Sequence, residues 1–327
     1  MSIGLVCRLF GVGLVLVGLG LAGCQASSGD QPFVLARPVA LDADQPRRAK
    51  VGRLRYEAGF VLTSDDERFG GISGLWISPE GDELIMVSDH GTIWRTNPEH
   101  LEDQLYRFGD FSVAEIQLSP GDGERVDAEA LARDASGRLI VAVEGRNPLR
   151  RLPPDGSGGV TQPVAGTQAL EQVAVEAGNT GIEALASLPE GGLLAITEGV
   201  YDGPDELVAW WLEGDRLQPV RYAVSDGFEP TGADWVDETI YVVERKFSVA
   251  DAGFSSRIVA LDGAQMDGDN AISGELLAEL AWPVIHDNFE GIAVRKASDG
   301  RVLIYLVSDD NFLPLQRTLL LQFSLEP

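Results

Sequence analysis

The stretch "DNFEGIAVRKASDGRVLIYLVSDDNF", residues 287–312, decides the fold. A short run of small and apolar residues is followed by the turn "ASDGR" and then by a continuous apolar run from Val302 to Val307. Asp and Gly in the turn supply the chemistry of a tight hairpin, and a second strand that is apolar throughout predicts burial on both faces. Acidic residues crowd both ends of the unit.

The design recurs. Aligned by hand, "GISGLWISPEGDELIMVSDHG" (71–91), "DAEALARDASGRLIVAVEGR" (127–146), "GIEALASLPEGGLLAITEG" (181–199), "EPTGADWVDETIYVVERK" (229–246) and "FEGIAVRKASDGRVLIYLVSDD" (289–310) give five copies. Equivalent positions are Ser73, Glu129, Glu183, Thr231 and Glu290, spaced by about the length of one four-stranded blade of a radial repeat. The small residues of the first strand, as in "EALA", suit the crowded axis where blades converge. Intervening stretches such as "TIWRTN" and "LYRFGDFSVAEIQL" read as outer strands, and only 165–178 has a helix-like pattern, read as an inserted loop. These features predict an all-β propeller of five blades, with a sixth open if one copy is too degenerate to align. "TLLLQFSL" after the last hairpin and "RLRYEAGFVL" before the first are placed to pair and close the ring. An open β-sandwich is the alternative, but it requires no recurrence near fifty residues.

In an antiparallel hairpin the start of the first strand and the end of the second lie together. Around a propeller axis this gathers Asp127, Glu129, Glu183 and Glu290 opposite Asp89, Glu144, Glu198, Glu244 and Asp309 on one rim, with His90, Arg146, Arg245, Lys246, His286 and Asn311. So many carboxylates cannot all be ionised and unpaired. One solution is a hard cation, with Ca²⁺ expected from Asp89, Glu129, Glu144, Glu183, Glu198, Glu244, Glu290 and Asp309, since Ca²⁺ accepts six to eight oxygens in irregular geometry. A cation would let so acidic a protein hold a phosphate ester, with Glu129, Glu183, Glu290, Arg146, Arg245 and Lys246 as the candidate catalytic set. The other solution is that the glutamates fasten blades through backbone N–H groups or Arg146 and Arg245.

The chain of 327 residues is 44% hydrophobic and 23% charged, with a net charge of −26. That field opposes nucleic acid and anionic lipid. The N-terminal "MSIGLVCRLFGVGLVLVGLGLAGC" has the parts of an export signal, and Leu21-Ala22-Gly23-Cys24 fits a lipobox, so 1–23 is read as a lipoprotein signal and Cys24 as the lipidated residue. Residues 24–50 read as a flexible tether and 51–327 as the folded domain, a monomer anchored in the bacterial envelope and touching membrane only through its lipid.

Other motifs are weaker. His90 and His286, next to Asp89 and Asp287, could ligate a transition metal, though a satisfied surface histidine is the simpler state. His100 in "NPEHLED" is assigned to solvent, and "GISG" around Ser73 lacks the context of a nucleophile elbow. "DGDNAISGE" fails the EF-hand pattern, and Trp210-Trp211 fits outer-strand packing.

The segments "DAEALARDASGRLIVAVEGR", "NTGIEALASLPEGGLLAITEG", "VVERKFSVADAGFSSRIVALD" and above all "SDDNF-x-PLQRT" resemble the bacterial family described as esterase-like activity of phytase, over roughly residues 52–327. The resemblance implies a phytase-like propeller, exported or lipid-anchored, with a hydrolase label. It places the family's motif residues at Glu129, Glu144, Arg146, Glu183, Glu198, Glu244, Arg245, Phe247, Arg257, Asn288, Glu290, Asp309, Asp310, Asn311, Gln316, Arg317 and Thr318. The substrate expected is a small ester or phosphate ester, with a non-catalytic ligand- or protein-binding propeller as the alternative.

Overall fold

The computed structural model describes residues 31–326 except 120–124, 135, 145–147, 157, 168–169, 171–180, 189–190, 215, 249–252 and 264–270. Its strands form five antiparallel blades around an axis. Blade 1 runs outward from Ile72–Ile77 through Leu84–Ser88 and Thr92–Thr96 to Ser112–Gln117, and Gly159–Val160 adds a parallel edge. Blade 2 comprises Ala128–Arg133, Leu139–Val143, Leu149–Arg151 and Gln162–Pro163, and blade 3 comprises Ile182–Ser187, Gly192–Tyr201, Glu206–Glu213 and Arg216–Ala223. Blade 4 contains Glu229–Val236, Thr239–Ser248, Gly253–Asp262 and Glu275–Leu280.

Blade 5 is built from both ends of the chain. Phe289–Lys296, Val302–Ser308 and Thr318–Leu325 are followed outward by Leu54–Ser64 and Val34–Pro38. Leu54–Ser64 pairs along Thr318–Leu325 from Leu62↔Thr318 to Leu54↔Leu325, which is the expected closure.

The first strand of each sequence copy is the innermost, and each inner strand packs against the next around the ring, Phe289–Lys296 returning to Ile72–Ile77. The apolar second strands follow from this arrangement. Leu84 and Met86 enter the core between blades 5 and 1, whereas Ile85 and Val87 enter the core between blades 1 and 2. Ile304 and Leu306 likewise face blade 4 while Leu303, Tyr305 and Val307 face blade 1. Five apolar cores result, one at each blade interface. A fully buried Leu or Ile in these layers contributes about 1.5–3 kcal/mol, so the interfaces supply the main stabilisation.

The ordered body begins earlier than Val51. Val34–Pro38 pairs with Phe60–Ser64, Leu41 is buried, and the buried Asp42 carboxylate accepts N–H bonds from Asp44 and Gln45 and pairs with Arg48 at 3.3 Å. An edge strand of five residues ending in proline carries too short an alternation to register as one. The described part of the expected tether is thus the outer edge of blade 5, while the lipobox and Cys24 lie outside the described residues, as does most of 165–178.

A second difference concerns His100. Pro98–Leu101 and Gln104–Phe108 form a separate hairpin that leaves blade 1 and latches onto blade 5. Leu105 N–H donates to Gln322 Oε1 at 2.7 Å, and Asp103 pairs with Arg295 at 3.3 Å. His100 Nε2 lies 3.1 Å from the Tyr305 hydroxyl, so the ring is half-buried against blade 5 instead of solvated.

Candidate functional site

Every inner strand breaks register at the same place. The shifts fall between Ile72 and Gly74, Ala128 and Ala130, Ile182 and Ala184, Pro230 and Gly232, and Phe289 and Gly291. The extra residue in each is therefore Ser73, Glu129, Glu183, Thr231 or Glu290, the equivalent positions of the sequence repeat. A β-bulge leaves its extra residue out of the ladder and re-aims its side chain. In blades 1 and 4 the re-aimed hydroxyls tie adjacent blades, Ser73 Oγ donating to Ala128 O and Thr231 Oγ1 to Phe289 O at 2.9 Å. In blades 2, 3 and 5 the same position carries a glutamate.

Pairing also fixes the second ring of positions. Ile72, Ala128, Ile182, Pro230 and Phe289 face Ser88, Val143, Thr197, Glu244 and Ser308. The residues that follow, Asp89, Glu144, Glu198, Arg245 and Asp309, are thus equivalent. This corrects the expectation for Glu244, which takes the inward place of Ser88 and Thr197, is 5% exposed, and accepts the Tyr222 hydroxyl at 2.8 Å. Successive side chains of a strand point to opposite faces, so Arg245 occupies the mouth position instead.

The carboxylates do converge on one mouth. Burial and the nearby Glu183, Asp127 and Glu290 charges push Glu129 far up. Burial, with Glu198 and Glu290, raises Glu183 well above the carboxylate range against the opposing effect of Arg245. Glu290 is raised to about 7 by burial, although Arg245 and the Asn288 amide pull it down. Burial, with Glu290 and Asp89 nearby, pushes Asp309 to about 8, and burial with Asp127 pushes Asp89 to about 6.

Two sub-sites divide this mouth. On the blade 2 side, one oxygen each from Asp127, Glu129 and Glu144 lies within 4.8 Å of the others. The Glu144 N–H donates to Asp127 O at 2.9 Å, so the hairpin itself holds the two acids together. Ligands on opposite sides of one Ca²⁺ at about 2.4 Å would be about 4.8 Å apart, so these three oxygens fit one divalent ion with positions left for other ligands. The acidic triad could bind a metal, and Asp127 is the ligand that the sequence reading placed on the rim but did not assign. It lies two residues before Glu129, at the period of a strand.

On the blade 4 side, Arg245 fills the space. Its Nη2 donates to Glu198 Oε1 at 2.7 Å, and its Nη1 donates to Asn288 Oδ1 at 2.8 Å and to Glu290 Oε1. Asn288 Nδ2 in turn donates to Glu290 Oε1 at 2.9 Å and to Asp309 Oδ2 at 3.3 Å. Glu198 and Glu290 are thereby fastened. Arg146 lies outside the described residues.

Opposite Arg245, the "SDDNF" loop turns sharply over the rim. Asn311 and Phe312 both adopt left-handed conformations, with φ of 48° and 51°. Asp309 Oδ1 accepts the Asn311 N–H at 2.6 Å, and Asp310 Oδ1 accepts the N–H groups of Phe312 at 3.1 Å and Gly71 at 3.0 Å. Phe312 stacks on His90 with ring centroids 3.8 Å apart and sits where a side chain on Gly71 would fall. His90 is thus held by packing, and His286 Nδ1 lies 2.8 Å from the Val284 carbonyl. Neither histidine joins a metal-binding cluster among the described residues, where the acidic triad is the one such group found.

Lys246 and Phe247 continue beyond Arg245. They line a cleft of about 340 Å³ with Phe254, Glu198, Asn288 and Asn311.

Among solved structures, the chain is similar to a gluconolactonase from Xanthomonas campestris at 15% identity, covering 91% of this chain and 97% of that one, with a TM-score of 0.42. It is similar also to the calcium-binding protein regucalcin from Agrobacterium tumefaciens at 11% identity, covering 79% and 91%, with a TM-score of 0.42. No curated protein gives a significant match. The profile of the phytase-like family matches residues 67–312. That span is well over half of a five-bladed ring, and the chain belongs to the phytase-like family described as esterase-like activity of phytase.

Proposed function

We propose that this protein is a metal-assisted hydrolase of ester bonds, with phosphoric esters as the favoured substrates and Ca²⁺ as the ion. The single observation that carries this reading is the Asp127–Glu129–Glu144 triad, three carboxylate oxygens within 4.8 Å of one another. A divalent cation held there would neutralise an anionic ester and polarise its oxygens. Glu183, beside the triad and raised above the carboxylate range by burial and by Glu198 and Glu290, is the candidate general acid. Hydrolysis would then join the water oxygen to phosphorus and break the ester P–O bond. The departing alkoxide takes the Glu183 proton, and the carboxylate recovers one from the attacking water. Lys246 supports the reading as a cation beside the mouth, whereas Arg245 is fully engaged by Glu198, Glu290 and Asn288. The proposal extends to location: reading residues 1–23 as an export signal and Cys24 as a lipidated residue supports an activity in the bacterial envelope.

The Arg245 network favours a second reading, because a mouth fastened on one side also suits a non-catalytic propeller that binds a small ligand. Turnover of a simple phosphomonoester with calcium and with chelator separates the two. Chelator-sensitive turnover that falls at least 100-fold in Glu129→Gln and Asp127→Asn is the expected result, since each change removes one ligand charge. Calcium-dependent stabilisation without turnover in the wild type would leave the binding module.

A further inference from the structure

The second strands of blades 1 and 2 stop after five residues, at Ser88 and Val143, but those of blades 3 and 4 are ten residues long and end at Tyr201 and Ser248. One side of the mouth therefore has tall walls. Aromatic side chains stand on them. Phe247 is 60% exposed and pairs across its hairpin with Phe254, ring centroids 5.1 Å apart at 57°. Tyr201 is 45% exposed and its hydroxyl donates to Glu229, which lines the cleft between the walls.

Lys246 stands at the foot of this cleft. Its Nζ donates to Asp226 O at 2.6 Å and lies 5.5 Å from the Phe228 ring, and it forms no ion pair among the described residues. An ammonium group without a carboxylate partner among the described residues, in a chain of net charge −26, is an anchor for an anion brought by a ligand. The Phe247 and Phe254 faces beside it offer area to a flat apolar group.

We propose that this cleft is the alcohol-side subsite and selects aryl phosphomonoesters, the ring lying against Phe247 and Phe254 and a phosphoryl oxygen meeting Lys246. The assignment rests on the hydrolytic reading above for the word "alcohol-side", but the cleft's preference is measurable without turnover. Calorimetric titration of the full chain in calcium with phenylphosphonate and with methylphosphonate tests it. Phenylphosphonate is expected to bind about tenfold more tightly, a ratio that falls to about two in Phe247→Ala. Lys246→Met is expected to weaken both ligands by about tenfold. Phe247 is exposed and Lys246 half-buried, and an unchanged melting temperature verifies the fold. Equal affinities in the wild type, a ratio that survives Phe247→Ala, or binding of neither phosphonate would overturn the proposal. An aryl preference in a protein that turns over no phenyl phosphate would sink the hydrolytic reading and leave the cleft assignment standing; turnover with no aryl preference would do the reverse.

Discussion

At the scale of single residues, the bulge position decides what each blade gives the axis. A hydroxyl there binds the neighbouring blade's carbonyl, and a carboxylate there is delivered to the mouth. The other decisive position is Arg245, which stands where the other four blades carry an acid. Replacing it with methionine would leave the half-buried Glu198 and Glu290 without their cation. Arg245→Met should cost about 3–5 kcal/mol in urea denaturation, and Glu290→Gln in the same chain should recover part of the loss. Full additivity of the two changes would show that the pair is uncoupled. These positions were legible in the sequence because Ser73, Glu129, Glu183, Thr231 and Glu290 align. The exchange of Glu244 for Arg245 was not, since the bulge shifts register by one residue and a shift of one moves a side chain to the opposite face.

At the scale of elements, hairpins explain both the acidic mouth and the latch on blade 5. The acids were readable from the sequence because the two ends of a hairpin must meet. The latch was not, because "PEHLEDQLYRF" is short and polar, and its partners Tyr305, Arg295 and Gln322 lie about two hundred residues away. The Tyr305 hydroxyl accepts from Arg295 Nε at 3.1 Å and from Gln322 Nε2 at 2.9 Å, so its own proton is directed to His100 Nε2. His100 must therefore be neutral. Burial, with Arg295 nearby, lowers it to about 4, against about 6.5 in an unfolded chain. The latch stability it contributes is present above pH 6.5 and is lost as pH falls towards 4. The imidazole proton resonance of His100 should titrate near 4, and His100→Gln should remove the acid sensitivity of protease cleavage within 98–108. A midpoint near 6.5 would show the ring to be solvated.

At the scale of the whole molecule, five apolar interfaces hold together a mouth whose charges repel. In chelator the folded mouth retains protons that the unfolded chain releases, Asp89 at about 6, Glu290 at about 7 and Asp309 at about 8, against about 4 when unfolded. Their folded values are raised, so the associated stability is complete below about pH 4 and is lost as pH rises through 6–8. The melting temperature in chelator should fall across that interval, and calcium should flatten the slope if the triad is occupied. A pH-independent melt in chelator would contradict the crowding. Closure is the other global property. Ending the chain at Arg317 removes a strand whose residues Leu319, Leu320, Leu321 and Phe323 are fully buried, and should abolish cooperative unfolding followed by circular dichroism. Removing residues 31–39, the outer edge, should lower the midpoint while leaving the transition cooperative. The recurrence near fifty residues made the five blades and their closure readable, whereas the edge strand at 34–38 gave too few alternating positions to be recognised.

Because Thr318–Leu325 lies between Val302–Ser308 and Leu54–Ser64, the fifth sheet has a gap in its middle until that strand docks. A chain in which Thr318–Leu325 has not yet docked therefore carries two unsatisfied strand edges facing one another across an eight-residue slot. The matching strand of another copy can enter that slot, so refolding at high protein concentration should favour intertwined dimers over monomers.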